Sequence, residues 1–155
     1  MTLAMWDAKQ TMDPQGEGKT KTILVVDYNR STMRVFNLLL RSRGFTIDTA
    51  VTGDEAKEKM MKNTYSAALI SFNLPDMDGI DLLLFVSKSM PNAAKIISSG
   101  FPSLGNSIKA IEAGADAYFS KPVDPEQLIL VVENKLEQAN TGKKPSNTSQ
   151  SPNAT

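Results

Sequence analysis

Asp27, Ser71, Ser99 and Lys121 are chemically capable side chains that each end, or directly follow, a short apolar run. Together they offer a carboxylate, two hydroxyls and an ammonium. A carboxylate and an ammonium held together form an ion pair, whereas a serine becomes a nucleophile only beside a base that can take its proton. The chain has no histidine and no cysteine, which excludes His-based acid/base schemes, thiolate metal sites, cysteine nucleophiles and disulfides. Seventeen Lys and Arg balance seventeen Asp and Glu, so net charge gives no general attraction to nucleic acid or to an anionic membrane. The stretch Asp27-Tyr28-Asn29-Arg30-Ser31-Thr32 lacks a glycine that would let a phosphate approach the backbone. A flavin- or nucleotide-binding module is therefore the weaker alternative.

Those four residues need a scaffold that brings strand ends together. Ile23-Leu24-Val25-Val26 is apolar at every position, as a strand buried on both faces should be. A helix is predicted from about Ser31 to Arg43, with Val35, Phe36, Leu39 and Leu40 as its inner stripe and Gly44 as its stop. Strand two is then Phe45 to Thr49, and helix two, about Asp54 to Lys62, turns Ala56, Met60 and Met61 inward. Ala67 to Ser71 reads as strand three. Pro75 keeps Phe72 to Asp78 out of ordinary helix, and Gly79 to Ser89 forms helix three on Ile80, Leu83, Leu84 and Val86. Strand four is Lys95 to Ser98, helix four Leu104 to Glu112 before Gly114, and strand five Ala117 to Phe119. The last helix has Asp124 as N-cap, Pro125 at the first helical position, and a stripe of Leu128, Val131, Val132 and Leu136. Right-handed crossovers turn this alternation into an α/β fold: a doubly wound five-stranded parallel sheet, flavodoxin-like in its strand order 2-1-3-4-5, with helices on both faces.

The anchors Ile23-Leu24-Val25-Val26-Asp27, Asn73-Leu74-Pro75-Asp76-Met77-Asp78-Gly79, Ala113-Gly114-Ala115-Asp116 and Ser120-Lys121-Pro122 come in an order and spacing that resemble the receiver domains of bacterial response regulators. The resemblance runs from about Lys21 to Gln138. It implies a pocket in which two adjacent acids bind Mg²⁺, an aspartate takes phosphate from a histidine kinase, and a hydroxyl and a lysine hold the phosphoryl oxygens. Against that pattern Tyr28 stands where the second acid belongs, and Ser71 stands where the phosphate acceptor belongs. Asp27, Asn73 (whose main-chain carbonyl would be a metal ligand), Ser99, Lys121 and the switch-type aromatic Tyr118 are in the implied places. A cis peptide before Pro122 is also implied.

The usual pocket sets three carboxylates against one lysine, and a divalent cation neutralises the excess. This one keeps Asp27 and Lys121 alone, so a salt bridge, no Mg²⁺ and no acyl phosphate are expected. The functional expectation is an atypical receiver, non-phosphorylatable at the usual position and not an enzyme, which acts by binding a two-component signalling protein. Its expected surface is the fourth helix, fifth strand and fifth helix, about Ser107 to Glu137. Phosphorylation of Ser71, or of a nearby acid such as Asp76 or Asp78, is the alternative within the same class. Residues 1–20 are expected to be a mobile leader, 21–139 the receiver-like domain, and 140–155 a disordered polar tail. Leu3 to Trp6 is the leader's apolar exception, read as docking on the domain or forming a short helix. No run of about 18 apolar residues is present to span a bilayer and the charges balance, so neither a membrane nor nucleic acid is expected as partner, and the location expected is the cytoplasm.

Overall fold

The computed structural model describes residues 21–141. The readings of the leader and of the tail beyond Thr141 lie outside the described residues. Five strands alternate with five helices: β1 Lys21–Val26, α1 Arg30–Arg41, β2 Phe45–Ala50, α2 Gly53–Lys62, β3 Ala67–Ser71, α3 Gly79–Ser89, β4 Ala94–Ser99, α4 Leu104–Glu112, β5 Ala117–Ser120 and α5 Pro125–Thr141. All four strand pairings are parallel and the order is β2-β1-β3-β4-β5, as the alternation predicts.

The apolar run of β1 splits by its two-residue period. Ile23 and Val25 point to one face, packed with Met33, Phe36 and Leu40 of α1 and with Leu128, Ile129 and Val132 of α5. Leu24 and Val26 point to the other, under Ala56 and Met60 of α2, Leu82, Leu83 and Val86 of α3, and Ala110 of α4. Central β3 is buried along its whole length, because helices cover it on both sides.

Several inner stripes differ from the sequence reading. On α1 the core is filled by Met33, Phe36 and Leu40, whereas Val35 and Leu39 are exposed. The helix carries two apolar stripes, and the sheet takes the one through Met33, Phe36 and Leu40; the helix begins one residue early, where the Asn29 side chain accepts from the Ser31 and Thr32 amides. The helix also stops sooner than Arg43, since Arg43 and Gly44 donate back only three residues, to Leu40 and Arg41, and Gly44 takes φ +90°. Met61 is exposed, because Ala56 and Met60 already occupy the one face of α2 that meets the sheet. On α3 Leu82 is buried and Leu84 is exposed. Helix α2 begins at Gly53 because Thr52 caps it, accepting from the Glu55 amide. On α5 Ile129 is buried beside Leu128 and Val132, and Val131 and Leu136 pack only partly against that core.

Candidate functional site

The carboxyl ends of β1, β3, β4 and β5 lie side by side, which brings together side chains 94 residues apart in sequence, from Asp27 to Lys121. Asp27 directly follows β1, and its amide donates to the Ala50 carbonyl, continuing the ladder to β2. Its carboxylate is buried: Oδ1 accepts from the Asn29 amide at 3.0 Å, and Oδ2 pairs with the Lys121 ammonium at 2.9 Å. Ser71 ends β3 at 3% exposure, its Oγ accepting from Lys121 Nζ at 3.0 Å and donating to the Asn73 carbonyl at 3.1 Å. One ammonium therefore bridges Asp27 and Ser71.

The backbone fixes this arrangement. Gly79 packs so closely under the end of β3 that a Cβ there would collide with the Ser71 carbonyl, and its amide donates to the Phe72 carbonyl at 2.7 Å. The loop between β3 and α3 is held again by Asp76, whose carboxylate accepts from the Gly53 and Asp54 amides at 2.8 and 2.9 Å, capping α2 from a distance in sequence. Burial acts to raise the Asp76 pKa, but these amide bonds outweigh it and hold the carboxyl below its ordinary range. Asp78 occupies the N-cap position of α3 without a side-chain capping bond. Lys121 follows β5; its amide donates to the Ser99 carbonyl, and the Lys121–Pro122 peptide is cis.

The other site residues divide. Tyr28 is 63% exposed. Asn73 is at the surface, and its carbonyl accepts the Ser71 hydroxyl. Ser99 is buried at the end of β4, and its Oγ accepts from the Phe101 amide at 3.1 Å. Tyr118 packs into the core formed with α2, α3 and α4, and its buried hydroxyl has no hydrogen-bond partner among the described residues. The structure thus joins Asp27, Ser71, Asn73 and Lys121 in one network, places Ser99 at the adjoining strand end and Tyr118 in the core formed with α2, α3 and α4, and leaves Tyr28 at the surface.

Two capping roles escaped the sequence reading. Asn29 links Asp27 to the start of α1, and an Asn just before an apolar-periodic segment is a readable cap signal. Asp76 as a cap for α2 has no local signal, because its partners lie more than twenty residues away.

The match to known proteins is consistent with this geometry. The model of the response regulator receiver domain family matches residues 23–133. The chain belongs to that family. Among solved structures, the CheY-like receiver domain protein of Methanospirillum hungatei JF-1 is 34% identical with a TM-score of 0.75, over 81% of this chain and 100% of that one. The cell cycle transcriptional regulator CtrA of Caulobacter vibrioides is 31% identical over 107 residues, 69% of this chain and 46% of the relative. The transcriptional regulatory protein SrrA of Staphylococcus aureus is 31% identical over 114 residues, 74% of this chain and 47% of that protein. The chain spans about half the length of these curated relatives. As a receiver domain it is a signalling module of two-component systems, which interact with other signalling proteins.

Proposed function

We propose that this receiver domain takes no phosphate at the usual position and works instead by binding a protein partner. The observation that carries the reading is Lys121 held between Asp27 and Ser71, with a serine where the family resemblance puts the acceptor. A serine hydroxyl is a poor substitute for that carboxylate. It carries no anionic oxygen, and its proton is directed at the Asn73 carbonyl rather than at a base.

The same donors do not fit Mg²⁺. That ion is held by hard anionic oxygens in near-octahedral geometry and gives up its waters reluctantly. Here both Asp27 oxygens are engaged, the Asn73 carbonyl accepts the Ser71 hydroxyl, and the Tyr28 side chain supplies no carboxylate. One carboxylate and one ammonium leave no charge for a cation to neutralise. The alternative in which Ser71 is modified is disfavoured by its burial, and Asp76 is engaged in capping α2.

Output through a protein partner is supported by apolar side chains that the fold leaves in water. Phe101 and Leu104, Ile108 and Ile111 of α4 are exposed, the last three at the i, i+4, i+7 spacing of one helix face, and Leu130 of α5 is exposed as well. They lie on or beside the proposed α4–β5–α5 surface. No helix among the described residues is long and apolar enough to cross a membrane, and the cytoplasm is the location that suits this role. Incubation with acetyl phosphate and Mg²⁺, followed by phosphate-affinity electrophoresis, tests the reading. We expect no shifted band; a stoichiometric shifted species would overturn it.

A further inference from the structure

We infer that the cleft between α1 and the β5–α5 turn binds an uncharged small molecule with an apolar body and one carbonyl oxygen, such as an aryl ketone. This goes beyond the proposed function and does not depend on it. The cleft has a volume of about 480 Å³, and its apolar walls include Val35, Phe36, Leu39, Pro122 and Val123. Small-molecule sites of roughly 300–1,000 Å³ are mostly apolar with a few placed polar groups, and this cleft has that make-up. Val35 and Leu39 are exposed, so an apolar body laid on them covers surface that the fold leaves in water.

The polar groups of the cleft select the ligand's head. Among the described residues, Asp27 and Lys121 are the only charged ones that line it, and they are already paired at 2.9 Å. An anionic ligand would set a second negative charge beside the buried Asp27 carboxylate, and a cationic one would meet no free anion, so a neutral head is favoured. Two donors are left over. The Lys121 ammonium has three N–H groups and gives one to Asp27 and one to Ser71, which leaves the third. Ser98 lines the cleft and is 2% exposed, and its hydroxyl makes no hydrogen bond among the described residues. By the two-residue period of β4 its side chain shares the face of Ala94 and Ile96, which is the face turned to α1 and α5. Ser98 is also the register partner of Ser71, so its hydroxyl and the spare ammonium proton are neighbours. A buried hydroxyl without a partner is costly, and a carbonyl oxygen, with two lone pairs, accepts from both groups at once.

Amide NMR spectra of the full chain would be titrated with acetophenone, with ethylbenzene, which has nearly the same shape without the oxygen, and with benzoate, which has the same ring with a charge. Ser98→Ala, Leu39→Gln and Leu38→Gln would be compared with the native protein. Leu38 is 71% exposed on the same helix but does not line the cleft, so Leu38→Gln is the control. The spectra themselves show whether each variant folds, and Leu39→Gln, at an exposed position, keeps the test open should Ser98→Ala fail to fold. The inference predicts saturable shifts centred on cleft residues, with acetophenone binding several-fold more tightly than either ethylbenzene or benzoate. Ser98→Ala should bring acetophenone down towards the level of ethylbenzene, Leu39→Gln should weaken both several-fold, and Leu38→Gln should change neither. The absence of saturable acetophenone shifts would overturn it, as would acetophenone binding that Ser98→Ala or Leu39→Gln leaves intact. So would equal binding of ethylbenzene, which would mean an undiscriminating apolar groove, or tighter binding of benzoate, which would mean an anion site on Lys121. Cleft amides that shift when the protein alone is diluted would overturn it as well, because a second copy would then be the occupant.

Discussion

At the scale of single residues, the pocket is defined by one cation doing two jobs. Lys121 neutralises a buried carboxylate and donates to the hydroxyl of Ser71. Its removal leaves Asp27 buried without a counter-charge, and breaking a fully buried pair costs roughly 3–5 kcal/mol. The Lys121 side chain is 27% exposed, so water can reach the gap and the cost falls to or below the smaller end of that range. Lys121→Met should therefore lower stability by about 2–3 kcal/mol in urea denaturation, and adding Asp27→Asn should restore part of it. Equal losses from the two changes, adding without coupling, would contradict the pair's role. Tyr118 makes the complementary case. Its ring fills the core while its hydroxyl is buried without a protein partner, so Tyr118→Phe should leave the urea midpoint unchanged or raise it. A clear loss would show that the hydroxyl has a role beyond packing. The ion pair was legible in the sequence, because two lone opposite charges at strand ends have little else to meet. The two bonds of the Ser71 hydroxyl were not, since a serine's partners depend on rotamer and loop path.

At the scale of elements, caps and cross-links decide where helices start and how they are held. Asp124 Oδ1 accepts from the Glu126 amide at 3.0 Å, as the Asp-Pro start of α5 predicts. Asp124→Ala should cost about 0.5–2 kcal/mol. An unchanged midpoint would mean that the remaining bonds at this helix end suffice. A second element link escaped the sequence: Asp48 of β2 accepts from the Tyr65 hydroxyl at 2.6 Å and from Lys59 of α2 at 3.0 Å. Burial acts to raise the Asp48 pKa, but the bonds from Tyr65 and Lys59 prevail and lower it. A lowered carboxyl contributes stability that is complete above its ordinary value, about 4, and is lost as pH falls through its folded value. For Tyr65, burial and the Asp48 carboxylate together raise the pKa. Its contribution is complete below its ordinary value, about 10, and is lost on the alkaline side. Asp48→Asn should therefore flatten the acid limb of a stability–pH profile. An acid limb as steep as the native one would place the lost carboxylate stability elsewhere. Helix faces were legible only in part, as α1 shows: its leucines and valine offer two possible stripes, and the sheet takes the one through Met33, Phe36 and Leu40.

At the scale of the whole molecule, strand order and the clustering of strand ends follow from the alternation of apolar runs with helical patterns, and that much was legible without coordinates. The exposed row on α4 had a readable period, but periodicity alone does not say which of a helix's apolar faces the fold covers. The central claim is that two substitutions, at Tyr28 and Ser71, separate this pocket from one that accepts phosphate. Ser71→Asp alone would place a carboxylate within reach of Lys121 but restore only part of a metal site, so it should label poorly with acetyl phosphate. Tyr28→Asp alone supplies a ligand without an acceptor and should form no acyl phosphate. The double variant regains three carboxylates beside Ser99 and Lys121, a set whose net charge calls for a divalent cation. The deciding measurement is Mg²⁺-dependent labelling by acetyl phosphate across the native protein, the two single variants and the double variant. The account predicts labelling of the double variant well above either single one, with the native protein unlabelled. Acid-stable labelling of the native protein on Ser71, or a folded double variant that binds no Mg²⁺, would contradict it.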